Sequence, residues 1–586
     1  MDDPILRYYE AEMHYLREAG KEFAQAHPDR AAMLNLDDGR DRDPYVERLL
    51  EGFAFLMGRM RQKLDDDLPE LTEGLVSLLW PHYMRTIPSL SIVELAPDYQ
   101  SLQRSENMPK GFEVVSQPVG AGRTRCYYRT TRDMRIVPLH ITAATVQNEA
   151  DGRSVIRLRF DCSRLAEWDK VDLARLPLYL KADSPVSSAL HLALTRQTQH
   201  IYLRLPEMAR CRFEGYFSPM GFDSDDVLWP KGGSAFSGYQ LLLEYFTFRE
   251  KFMFVALNGL DTLNIPDGTP WFELDIVLSE LWPYQLTFAA ENIRLHCVPV
   301  INLFSVEADP MHISPMQNEY LLRPMRIQDG HTEIYSVDEV FSFRRGEEQH
   351  FVPFSSFRHR GGIMRQTAPE RYYHTRVSPG PSGLHDTWLI LGGESFENDP
   401  DIDDEMLSLR ITGTNGQLPR EALRNAQFEQ TLQASGGKLS VKNLCSPTLP
   451  CYPPANDRFH WRILSHLGSN FLSMMDNPEI LRGTLGLYNW TDDEMNYRRL
   501  DAIIGVKHTL IQRFEKGFLL RGVDIEITLN SNGFTGDGDI FLFGEMLNRF
   551  FALYADIHLF TQLTLLLQPS EKCLRWKENH NQRIPG

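Results

Sequence analysis

Apolar residues in this chain keep a helical period until about Trp80 and a strand period after Ile87-Pro88. A stretch patterned for one period cannot bury its apolar side in the other, so the switch divides the chain into parts that fold differently. In the first part, Leu6, Tyr9, Met13, Leu16 and Phe23 fall on one helical stripe that begins behind Pro4 and ends at His27-Pro28. A second helix is expected from Asp43-Pro44, an N-cap followed by a first-turn proline. It runs through Val46, Leu49, Leu50, Phe53, Leu56, Met57, Met60 and Leu64. A third carries Leu71, Leu75 and Leu78 and stops at Trp80-Pro81. An amphipathic helix has to lie against something. The stripe Leu6, Tyr9, Met13, Leu16 and Phe23 is therefore the candidate partner-binding surface. It packs either in an intersubunit bundle or on the chain's own second and third helices.

Beyond Pro88, short β-branched and aromatic runs alternate with polar residues, as in Ile156-Arg157-Leu158-Arg159-Phe160 and Leu178-Tyr179-Leu180. One helix, about Gly238 to Phe246, interrupts them. A second β-rich stretch, 306–415, contains Arg358-His359-Arg360-Gly361-Gly362 and an acidic run of Glu397, Asp399, Asp401, Asp403, Asp404 and Glu405, read as a solvated loop. After the proline-rich connector Leu449-Pro450-Cys451-Tyr452-Pro453-Pro454, helices return around Trp461, Leu464, Leu467, Phe471 and Met474, and again from Pro478 to Tyr488. A strand from Val523 to Leu529 leads into a long helix bearing Ile540, Phe543, Leu547, Phe550, Tyr554 and Ile557, and a strand from Thr561 to Leu567 closes the chain. Phe541, Phe551 and Leu553 lie off that helix's main stripe, so it must be covered on more than one side. The covering surface is expected to be either the helices around Trp461 or a second copy of the chain, burial within one chain being the more economical account of Phe551. The class is α+β and multidomain: a helical N-terminal region (1–88), a β-rich domain with an inserted helix (89–305), a second β-rich domain (306–415) and an α+β C-terminal domain (416–586). A length of 586 residues, well past the ~250–300 at which one core stops growing, agrees with several domains.

With 61 basic against 79 acidic residues, the net charge of −18 is a poor match to a protein that tracks phosphate backbones. Seven scattered cysteines suit a reducing compartment better than a disulfide framework. No signal-peptide pattern and no apolar run of membrane-spanning length is present, so the expected location is the cytoplasm. The search for chemistry returns little. Pro230-Lys231-Gly232-Gly233-Ser234 lacks the Gly-Lys-Ser/Thr ending of a phosphate cradle. Cys445 and Cys451 have no second pair and read as half-buried thiols. Asp537-Gly538-Asp539 lacks the bidentate Glu of a calcium loop and reads as a polar turn with an Asp at a helix N-cap. Catalytic residues, metal and cofactor are each expected to be none. Two other classes compete: a β-rich hydrolase with a dispersed active site, and a ligand-binding module whose groove is lined by exposed aromatics such as Trp229 or Trp282.

Several segments carry a resemblance. Phe53-Ala54-Phe55-Leu56, Lys63 to Glu73, Trp80-Pro81-His82-Tyr83, Ile87-Pro88-Ser89, Gly238 to Phe246, Phe248 to Phe252, Pro299 to Phe304, Glu333 to Val337, Trp461 to Leu467 and Arg549 to Ala555 follow one another from end to end. In that order they resemble the TssF family (ImpG/VasA) of type VI secretion baseplate subunits, over essentially the whole chain. Arg249 stands where that family usually has proline, and Val255-Ala256 replace a more aromatic pair, which bears on a loop conformation. The resemblance implies a non-catalytic wedge subunit. Two copies would join one TssG, with TssK linking the wedge to the membrane complex. Six wedges would surround the VgrG spike and support assembly of the Hcp tube and contractile sheath, with TssE and TssA in the full baseplate. It implies neither nucleic-acid binding nor membrane insertion.

Overall fold

In the computed structural model the described residues are 85–580 apart from 121, 150–151, 224, 230–236, 264, 315–316, 318, 326–330, 345–346, 354–370, 381–384, 393–404, 423–427, 430–438, 455–461, 464–472, 476, 516–517 and 555–558. Of the first 84, they are 9–10, 12–16, 19, 45, 48–57, 76 and 83. The Arg358–Gly362 segment, most of the acidic run and most of the helix expected around Trp461 therefore lie outside them. Contacts divide the chain into two units, 1–84 with 454–467, and 85–453 with 468–586. In the first unit, residues 12–16 and 48–57 are helical, as their spacing predicts.

The second unit is mixed α and β with several sheets, and the alternating runs are its strands. Ile156, Leu158 and Phe160 lie on Ser154–Cys162 and face inward beside Ile276, Leu274 and Phe272 of Trp271–Leu278, register for register. The Phe160 and Phe272 rings stack at 4.8 Å. This sheet runs Cys211–Phe213, Thr198–Arg204, Trp271–Leu278, Ser154–Cys162, Leu139–Asn148, all antiparallel. Next in the chain is a four-stranded sheet of Tyr216–Pro219, Phe254–Asn258, Arg175–Leu180 and Ile293–Arg294. A six-stranded sheet places Leu90–Pro97 between Cys297–Ile301 and Leu439–Asn443, so its strands come from distant parts of the sequence. Val93, Leu95, Val114, Tyr128, Val298 and Val300 form its core. A further sheet centres on Glu333–Arg344 and Met406–Thr414, with one parallel pair, Glu347–Pro353 against Tyr372–Pro379. Asn302 ties this region together: its amide donates to Tyr127 O at 2.7 Å and Asn415 Oδ1 at 2.9 Å, and its oxygen accepts from Thr414 and Asn415.

Five helices of eight or more residues are described within 85–580: α1 (Ser184–Leu192), α2 (Ser237–Thr247), α3 (Pro478–Gly486), α4 (Glu494–Asp501) and α5 (Asp537–Tyr554). α1 is a second helical insertion in the region where the sequence pattern shows only α2. Pro185 occupies its first turn behind Asp183, a start signal as plain as the one at Pro44. α3 begins as expected, with the Asn477 side chain accepting from Ile480 N at 2.8 Å and Pro478 in the first turn. The hairpin Ile503–Glu515/Phe518–Asn530, α5, and the parallel strand Leu559–Gln568 form a strand–helix–strand unit.

α5 shows how the second unit is held. One side lies on Leu559–Gln568 and on Trp576, whose indole stacks with Phe541 at 5.5 Å and donates to Glu545 at 2.7 Å. Other sides are covered by α1 and α2; most of the helix expected around Trp461 lies outside the described residues. Gly538 sits against the Ser188 backbone of α1, where an added Cβ would lie 2.2 Å from the carbonyl oxygen. Tyr245 of α2 reaches Phe543, ring centres 6.1 Å apart. Phe543, Phe550 and Phe551 are fully buried within their own chain.

Candidate docking surface

The predicted stripe is split by what can be described. Met13 is buried at 6 % exposure, Tyr9 and Leu16 are half-buried, and Glu10, His14 and Tyr15 face outward. Leu6 and Phe23 lie outside the described residues. The spacing 9, 13, 16 does mark one face, and that face is turned inward.

The helix at 48–57 behaves differently. Tyr45, Leu49, Phe53 and Leu56 follow one another at steps of four, four and three, and are 85, 74, 52 and 62 % exposed. Phe55 is also exposed, whereas Ala54 is fully buried and Leu50 and Met57 are half-buried. Four large apolar side chains in one exposed row are what a monomer avoids and an interaction surface needs. The row was legible in principle, because this helix is apolar on two sides.

Several charged clusters of the second unit are closed. Asp539 lies in the first turn of α5 without exposure and takes Arg249, Arg499 (Nε at 3.1 Å) and the Thr535 N–H and hydroxyl at 3.1 Å. Burial would raise its pKa, but Arg249 and Arg499 hold it below the usual carboxylate range. The Asp read as an N-cap thus sits inside the helix and serves as a buried counter-ion. Arg249, the departure from the family's proline, starts the short helix Arg249–Phe252 and reaches that same carboxylate. Glu244 and Lys251 form a second buried pair, with Glu244 also accepting from Leu228 N at 2.8 Å and Gln240 at 3.0 Å. Glu405, read as part of a solvated acidic loop, is fully buried and bonded to Arg371, one contact at 2.9 Å. Glu333 accepts from the Tyr452 hydroxyl at 2.8 and 2.9 Å, and His385 stacks on that phenol ring at 4.0 Å. Burial pushes the Glu333 carboxyl up.

Trp229 and Trp282 do not line a groove. Both are buried, and the Trp282 indole donates to Leu286 O at 2.6 Å. Trp282 packs edge-on to Phe288, ring centres 5.1 Å apart, and has a carbonyl for its N–H. Cys445 and Cys451 are half-buried free thiols, pushed by burial to about 12 and about 11. A cavity of about 240 Å³ is lined by Glu94, Tyr99, His140, Arg294, His296 and Lys442, among others. Its charged groups are partly spent on each other, Glu94 lying 3.6 Å from Arg294, and burial lowers His296 to about 4, so it is neutral at pH 7. Among the described residues no group of three or more His, Cys, Asp or Glu is placed to hold a metal. None of the described helices is long and apolar enough to cross a membrane.

Polar clusters closed within the second unit and an exposed apolar row on the first are features of a chain that offers surface to partners. The family model for "Type VI secretion system, TssF" matches residues 1–583. The type VI secretion system component TssF1 of Pseudomonas aeruginosa is 30 % identical over 626 aligned positions, covering all of both chains. A chain in a cryo-electron microscopy structure of the type VI secretion TssK–TssF–TssG baseplate subcomplex is 60 % identical, with a TM-score of 0.83, over 92 % of this chain and all of that one. Another, in a structure of the type VI secretion baseplate complex, is 59 % identical, with a TM-score of 0.70, over 99 % of this chain and all of that one. The chain belongs to the TssF family of type VI secretion baseplate subunits.

Proposed function

We propose that this chain is a non-catalytic wedge subunit that joins TssG- and TssK-type partners through its N-terminal helical region. The observation that carries the reading is the exposed row Tyr45, Leu49, Phe53 and Leu56. Support for the partners comes from the similar chain at 60 % identity, which was solved in a TssK–TssF–TssG subcomplex. In this reading the row forms a bundle with TssG and a second copy of the chain, and of the stripe Leu6, Tyr9, Met13, Leu16 and Phe23 the half-buried Tyr9 and Leu16 extend it, Met13 being buried beneath them. The wedge so made surrounds a VgrG spike, supports Hcp tube and sheath assembly with TssE and TssA, and works in the cytoplasm at the inner-membrane secretion complex. In the same reading the chain is built of four regions, 1–88, 89–305, 306–415 and 416–586.

The test is co-expression with TssG and TssK. Leu49→Glu/Phe53→Glu removes apolar area at positions the chain itself leaves open, so recovery of the complex should fail while the circular dichroism of the chain is kept. Met13→Asp/Leu16→Asp should also abolish recovery. An intact complex from Leu49→Glu/Phe53→Glu would end this reading of the surface.

A further inference from the structure

The sheet built on Trp271–Leu278 has one apolar face, buried, and one face made of charges. Its register places Arg157 opposite Asp275 and Asp275 opposite Tyr202, and in the next rank Arg159 opposite Glu273 and Glu273 opposite Arg204. Residues directly opposite in a sheet share a face, so these ranks form one surface. Arg210, from the loop after Thr198–Arg204, reaches the same place.

The charges are layered by side-chain length. The Asp275 side chain is 1 % exposed and Glu273 13 %, whereas Arg157, Arg159, Arg204 and Arg210 are 30 to 40 % exposed. Asp275 lies 2.7 Å from Arg157, 3.3 Å from Arg204 and 3.3 Å from Arg210. Glu273 lies 3.5 Å from Arg159 and 3.7 Å from Arg204, and Asp161 lies 3.3 Å from Arg159. Asp275 and Glu273 form the floor and four guanidiniums the roof, with Asp161, 32 % exposed, as the one carboxylate of this cluster at roof level. The outward surface is therefore cationic in a chain whose net charge is −18. Two roof groups are also fixed in orientation, Arg210 over the Tyr202 ring at 4.1 Å and Arg159 over the Trp271 ring at 4.6 Å.

We propose that this charged sheet face is a docking surface for an acidic protein segment. Ordered guanidinium forks match carboxylates in paired hydrogen bonds, and their side-chain entropy is already lost. A short segment is the occupant because an extended polyanion would run off this patch onto a surface that repels it. The surface is independent of the N-terminal row, and its failure would leave the baseplate reading standing.

The test is fluorescence anisotropy of a labelled oligoglutamate peptide with the full chain at low ionic strength, with a single-stranded DNA oligonucleotide as the second probe. Arg159→Gln/Arg210→Gln should weaken oligoglutamate binding tenfold or more. Arg410→Gln, in another sheet and paired with Glu339, should leave it unchanged. Arg159→Lys/Arg210→Lys keeps both charges above Glu273 and Asp275 and so protects the fold; it should give a smaller loss. No binding of oligoglutamate, binding unaffected by both double variants, or tighter binding of the oligonucleotide than of the peptide would each overturn the proposal.

Discussion

Asp539 neutralises two arginines from different elements, Arg249 in the short helix after α2 and Arg499 in α4. Removing the charge strands both guanidiniums in a site with no solvent to replace it, and breaking a buried pair costs about 3–5 kcal/mol. Asp539→Asn should therefore lower the unfolding free energy by an amount of that order, read from urea titrations followed by tryptophan fluorescence. Nearby, His191 is fully enclosed at the α1/α5 contact with both ring nitrogens unpaired. Burial first, and the positive Arg249 second, lower its pKa from 6.5 to about 4. The unfolded chain thus binds a proton near pH 6.5 that the folded chain refuses until about pH 4. Stability falls as pH drops through that window, by roughly 3 kcal/mol at its lower end. His191→Leu should flatten the slope and, by removing an unpaired buried donor, stabilise the chain at pH 7. A series of urea midpoints from pH 7.5 to 4 measures both effects, and an unchanged slope would contradict the assignment. Neither residue's role was legible in the sequence. Asp539 looked like a cap because a cap needs only local spacing, whereas its partners lie 290 and 40 positions away.

At the scale of elements, sequence pattern located what is periodic and missed what is borrowed. α2, α5 and the strands around Leu158, Leu178, Ile525 and Leu565 stand where period and capping put them. The strand Ile503–Glu515 was not expected, since its partner Phe518–Asn530 buries one side and leaves Ile504 and Leu510 exposed. Nor could pattern say what covers Phe551. Its helix is packed by α1 and α2, and the α1 contact depends on Gly538 letting two helix backbones approach. Alanine there gains up to ~1 kcal/mol in helix propensity. Its Cβ would also lie 2.2 Å from a carbonyl oxygen that belongs to backbone and cannot rotate away. Overpacking of this kind costs ~1–3 kcal/mol, so the steric effect wins. Gly538→Ala should lower the thermal midpoint and raise amide exchange in α1 and α5, while exchange in the Glu333–Arg344 sheet stays as it was.

For the whole molecule, the two surfaces differ in what binds them, and salt separates them. The apolar row Tyr45, Leu49, Phe53 and Leu56 gains from leaving water, a drive that salt does not screen. Opposing it when two copies meet is the repulsion of two chains each at −18. Raising ionic strength from about 0.01 to 1 M shortens the Debye length from ~30 to ~3 Å, which removes most of that repulsion. The arginine roof works in the other direction, since its attraction for carboxylates is the interaction that salt screens. The isolated chain should therefore self-associate more as salt rises, while its binding of oligoglutamate weakens. Sedimentation velocity across that salt range, in parallel with the anisotropy titration, reads both trends on one preparation. Leu49→Glu/Phe53→Glu should abolish the first trend and leave the second, and Arg159→Gln/Arg210→Gln should do the reverse. Self-association that declines with salt would show that charges, not the apolar row, bring the copies together.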